Sequence, residues 1–108
     1  MKEFTKSEKQ AAIGLIRRGI LHRHAQWHKE MRELLDKPYG EDNEFDRSME
    51  ITKMARDFYK EAMMMEDYYS TSNLEIGIAR LFQDGHILAE DIDSLPKKVA
   101  QGVKHFLR

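Results

Sequence analysis

The sequence predicts an all-α fold: a long antiparallel helical hairpin over about residues 6–69, with two shorter helices, about 73–84 and 95–107, packed on it as an irregular four-helix bundle. Three observations predict it. Proline occurs only at positions 38 and 96, so two long stretches carry no helix breaker. Apolar residues recur at steps of three and four through both stretches, the period of a helix with one buried face. Charge also divides between them: residues 1–40 hold nine basic and five acidic side chains, and residues 41–70 hold four basic and nine acidic. Exposed ion pairs contribute only ~0–1 kcal/mol each, so charge favours this pairing without driving it. The 108 residues fit one domain, 1–108, and leave no room for a second core of useful size.

The first helix is expected to begin at Thr5. Thr5-Lys6-Ser7-Glu8 has the form of a capping box, in which the threonine oxygen and the glutamate satisfy amides at a helix start. Ile13, Ile16, Ile20, Trp27, Met31 and Leu34 then form one stripe, and positions 13, 20, 27 and 34 repeat every seven residues. Gly14 and Gly19 each cost about 1 kcal/mol inside a helix, which predicts close approach of another helix or a kink there. Asp36-Lys37-Pro38-Tyr39-Gly40 stops the helix.

A second helix is predicted from Asp42 or Asn43 to about Tyr69. Ile51, Ala55, Phe58, Ala62, Met65 and Tyr69 alternate steps of four and three, a heptad seam in which Ala55 and Ala62 allow the helices to come close. The short connection makes the pair antiparallel. Ser72-Asn73-Leu74-Glu75 repeats the capping-box form, Leu74, Ile78, Leu81 and Phe82 make a short apolar face, and Gly85 is a stop. The 85–94 link carries Ile87, Leu88 and Ile92 and is expected to pack down. Ser94 before Leu95-Pro96 opens a last helix with the stripe Leu95, Val99, Val103 and Phe106.

Composition excludes several chemistries. The absence of cysteine removes disulfides, thiolate metal sites and cysteine nucleophiles. There is no P-loop, no Gly-x-Gly-x-x-Gly and no Gly-x-Ser-x-Gly elbow. The polar first ten residues predict no signal peptide, and no apolar run reaches the ~18–20 residues of a membrane span. A soluble cytoplasmic protein without enzymatic activity or cofactor is expected.

Four side-chain groups are candidates for function. His24 and His28 lie one helical turn apart, the spacing two histidines need to share a metal; a core histidine bonded within the protein is the plainer reading. Arg17 and His22 have an Arg-x4-His spacing that resembles the motif of HEPN-type ribonucleases, which implies a small helical hydrolase. The match covers two residues, and five positions turn the side chains about 140° apart, so exposed solvated charge is the plainer reading here. Lys97, Lys98, Lys104, His105 and Arg108 leave the end of the chain without acidic residues from 95 onward, enough charge to hold a phosphate backbone weakly. In the second helix, Thr52, Tyr59 and Met63 form a stripe more than 100° from the seam, with Met64 off both. Methionine repacks easily and tyrosine suits half-wet contacts, so these four residues are the expected interface of a homodimer or other protein partner.

The resulting expectation is a small non-enzymatic interaction or assembly module. A nucleic-acid-associated regulator using Lys97, Lys98, Lys104 and Arg108 is the alternative, and a metal-binding bundle through His24 and His28 comes third.

Overall fold

Thr5 and Glu8 close the expected capping box: Thr5 Oγ1 accepts the Glu8 N–H at 3.1 Å and Glu8 Oε1 accepts the Thr5 N–H at 2.7 Å. From it α1 runs unbroken over Lys6–Asp36, about 46 Å at 1.5 Å per residue. Lys37 then turns extended, as a residue before proline must. The computed structural model describes residues 3–38, 40 and 43–107; among these all regular structure is helical, in the order α1, α2 (Glu44–Glu66), a 3-10 turn (Asp67–Tyr69), α3 (Leu74–Gln83), α4 (Ala89–Asp93) and α5 (Lys97–Phe106).

The hairpin and both C-terminal helices are where the sequence puts them. At its tip, the last turn of α1 holds no basic residue. Arg47 reaches across from α2 instead, donating to the carbonyls of Leu35 at 2.9 Å and of Lys37. That guanidinium satisfies acceptors a helix end leaves open and puts positive charge at its negative pole.

Three local expectations are corrected. The box predicted at Ser72–Glu75 does not form: Asn73 is the cap residue, its Nδ2 donates to the Asp67 carbonyl at 3.0 Å, and the Glu75 carboxylate lies against Gly102 of α5. Ser94 does not open the last helix. It closes α4, a helix the sequence left as a link, with Oγ bonded to the Glu90 carbonyl at 2.9 Å, and α5 begins after Pro96. Within that link Ile87 and Ile92 are buried, whereas Leu88 faces solvent.

The Gly85 stop forms as expected. With φ +83°, Gly85 lets the His86 N–H bond the Leu81 carbonyl at 2.9 Å and its own N–H bond Phe82 at 3.0 Å, the paired bonds of a Schellman ending. The chain then doubles back onto α1, and Ile87 and Leu81 come so near Gly19 that a Cβ there would sit 3.0 Å from each. Close approach therefore explains Gly19 but not Gly14, beside which there is open space.

The core lies at one end. Ala12, Leu15, Ile16 and Ile20 of α1 pack with Leu74, Ile78 and Leu81 of α3, Ile92 of α4, Val99 and Val103 of α5, and Met65 at the end of α2. Beyond Ile20, α1 and α2 continue as a two-helix stalk. The molecule measures 58 × 24 × 23 Å with a radius of gyration of 17.5 Å, against about 13 Å for a compact chain of this length.

This asymmetry corrects the predicted seam. Ile13 is partly exposed and Ala55 is exposed, while Trp27, Phe58 and Ala62 are half-buried. The seven-residue repeat assumes one neighbour along the whole helix. Near its start α1 packs on α3 instead, which turns its buried face to Ala12, Leu15, Ile16 and Gly19. Of the two adjacent α2 residues that the spacing allows on the seam, Met54 is half-buried and Ala55 is exposed.

Candidate functional site

The stalk gives α2 two apolar sides. One side meets α1 at Phe58, with Ile51 and Met54 half-buried along the same line, and the Phe58 ring is held on several edges. Trp27 stacks on it at 4.7 Å and 12°, His24 meets it edge-on at 4.9 Å, and the Arg23 guanidinium lies 5.1 Å from its centroid. The other side is turned to solvent. Phe45, Met49, Thr52, Arg56, Tyr59 and Met63 fall within about 40° of one line at 100° per residue, opposite the seam. Their apolar members are 73%, 57%, 66% and 54% exposed at Phe45, Met49, Tyr59 and Met63.

Of the four expected interface residues, Thr52, Tyr59 and Met63 lie on this line. Met64 is also exposed but about 100° round, where it borders a cavity of about 290 Å³ against α3 with Tyr68, Arg80 and Asp84. Phe45 and Met49 were missed. They continue the 52–59–63 stripe toward the N-terminus at steps of three and four, so the signal was present in the spacing.

Where the stalk joins the core, polar side chains converge. Arg23 and Glu61 bond through two pairs of atoms, one of them at 3.3 Å, and the Arg23 Nη1 lies 3.6 Å from Glu30. The Glu61 hydrogen bond holds the half-buried Arg23 above its usual range despite burial. Beside them His22 and His86 place their Nδ1 atoms 3.2 Å apart with rings tilted at 51°. Burial, then the neighbouring His22 and Arg23, push the His86 imidazole below the usual histidine range, against the pull of Asp84 and Glu61. Such a pair shares one proton between two nitrogens when neutral and repels when both rings are charged. It was not foreseen, because His22 and His86 lie 64 residues apart and meet only through the Gly85 reversal.

The histidines singled out by spacing do not converge with further ligands. His24 is engaged with Phe58, and His28 is exposed beside Trp27 at 5.6 Å. Among the described residues no group of three or more histidine, aspartate or glutamate side chains gathers as a metal site. Arg17 is exposed, and its expected companion His22 turns to His86.

The lysines of α5 are partly engaged. Lys98 donates to the Glu3 carbonyl and lies 5.6 Å from the Phe4 ring centroid, and Lys104 pairs with Asp93 at 2.9 Å. Lys97 is exposed, and Arg108 lies outside the described residues. Among the described residues no helix is long and apolar enough to cross a membrane. The chain matches no family model, no curated protein and no solved structure.

Proposed function

We propose that the protein is a non-enzymatic helical assembly module of the cytoplasm that associates with itself through the outer side of α2. The observation that carries this reading is the second apolar line on that helix, Phe45 to Met63, directly opposite the side that α1 already covers. One apolar side suffices to hold a surface helix on its core. A second, aligned over about 27 Å and more than half exposed at each apolar position, has no task within the monomer, and contiguous apolar surface of this kind marks an interface. Two copies related by a two-fold axis satisfy it with one patch.

Sedimentation of the wild-type chain at ~100 µM tests this, since a micromolar interface (~8 kcal/mol) is mostly paired there. Dimers are expected, and Met63→Glu is expected to dissociate them by placing charge in a desolvated contact. A wild-type monomer at that concentration removes the reading.

A further inference from the structure

The outer line of α2 also specifies which way round a second copy sits. We infer that two chains pair through α2 as an antiparallel two-helix coil whose two-fold axis passes at the level of residue 54. The inference rests on the self-association proposed above and adds orientation and register to it.

The steps of four and three make Met49, Arg56 and Met63 the a positions of a heptad and Phe45, Thr52 and Tyr59 its d positions. A two-fold at 54 sets each of them opposite the residue equally far on the other side. Phe45 then meets the partner's Met63, Met49 meets the partner's Tyr59, and Thr52 meets the partner's Arg56. Both ends of the contact are apolar and its centre is polar. The pairing has no leftover member on either chain.

Charge selects the same arrangement. Asp46, Lys53 and Lys60 flank the line on one side, and antiparallel helices bring like flanks together. Asp46 meets the partner's Lys60 at each end, giving two ion pairs per dimer, and Lys53 approaches its own copy at the axis, where its long stem can carry the ammonium outward. On the other flank lie Ser48 and Ala55, small side chains that let the helices come close beside the axis. A parallel pair does worse on every count. It stacks Arg56 on its own copy at a core position and sets Ser48 and Ala55, not carboxylates, near the lysines.

The available surface fits the purpose. An aromatic side chain carries 150–250 Å²; with Phe45 and Tyr59 two-thirds or more exposed, the four aromatics of a dimer bring roughly 400–700 Å². Their methionine partners raise that toward the ~1,000 Å² a specific interface needs. The copies would lie with their cores at opposite ends and their stalks side by side.

Because the chain has no cysteine, single-cysteine variants report the geometry directly. Ala55→Cys places the thiol beside the axis and is expected to oxidise to a disulfide-linked dimer. Ser48→Cys, on the same flank but about 20 Å from its own copy, is expected to stay unlinked. Lys60→Asp is expected to weaken the dimer roughly tenfold by converting both ion pairs to repulsion, and adding Asp46→Lys is expected to restore it. Circular dichroism of each variant keeps folding separate from association. A dimer in which Ser48→Cys links as readily as Ala55→Cys, or in which the charge swap rescues nothing, overturns the register while leaving self-association standing. A wild-type monomer in sedimentation overturns both.

Discussion

Residues 6–20 and 21–36 of α1 belong to one continuous helix but occupy different surroundings. The first half packs on α3 within the core cluster that α4 and α5 complete, and Leu15 and Ile16 are wholly enclosed. The second half has α2 as its companion, and there Leu34 is its one buried residue among those described. The first half, with Gly14, Gly19 and three isoleucines, is the poorer helix former of the two, so local propensity does not explain why it is the enclosed one. Packing does. Two helices side by side cannot close a core between them, whereas a third and fourth helix can. The stalk compensates with ring stacking around Phe58, an arginine bonded to Glu61, and the Arg47 cap at its tip. It also leaves one side of α2 turned to solvent.

Large-to-small substitutions give the sharpest test of this contrast. Ile78→Ala, in the core, is expected to cost about 2–5 kcal/mol and to lower the melting temperature of the whole molecule. Leu34→Ala, near the tip, is expected to cost about 2 kcal/mol, the low end for a buried leucine, because a two-helix stalk relaxes around the lost methyls more readily than the core does. Hydrogen exchange is expected to show the amides of residues 28–38 and 43–50 opening well before those of α3. Equal protection at both ends would erase the distinction.

Glycines sharpen it further. A Cβ at Gly77 would lie 2.7 Å from the Tyr68 Cβ, an atom tied to the backbone, so Gly77→Ala is expected to destabilise by about 1–3 kcal/mol. Gly14 borders open space, and Gly14→Ala is expected to stabilise by about 0.5–1 kcal/mol through helix propensity alone. Thermal melts of the two variants should move in opposite directions.

Arg47→Ala probes the tip. It removes the donors to the Leu35 and Lys37 carbonyls, at an expected cost of about 1 kcal/mol, and deuterium uptake should rise in residues 30–38 and 43–50 with α3 unaffected. A uniform rise would mean that the stalk and core open together.

The smallest effect expected is on the junction between the two regions. The folded state depresses the His86 pKa from its ordinary 6.5, so the folded chain binds fewer protons than the unfolded one. The associated stability is fully present above pH 6.5 and declines as pH falls through that value toward the folded pKa. Asp84, Glu61, His22 and Arg23 all act on this ring. His86→Gln is therefore expected to flatten the dependence of melting temperature on pH between 7.5 and 5. An identical slope in the variant would place the titration elsewhere.

What the sequence determined by itself was whatever depends on neighbours along the chain. The Thr5–Glu8 box, the stop before Pro38, the Gly85 reversal, the two long helices and the existence of a second line through Thr52, Tyr59 and Met63 follow from bonds or spacings within a few residues. Their energies do not depend on what lies across the molecule. Tertiary structure decided the rest. The buried face of α1 turned away from Ile13 because its neighbour changes from α3 to α2 along its length. Glu75 left its expected capping role to lie against Gly102, and Ser94 closed α4 instead of opening α5. His22 found His86 and not a ligand partner on its own helix, because a reversal 64 residues later brings the second ring within 3.2 Å. Contacts of that kind depend on relative helix rotation, and a shift of one residue turns a helical side chain by about 100°. A periodic pattern can identify a helix and its apolar sides, but the packing of other helices chooses which side is covered.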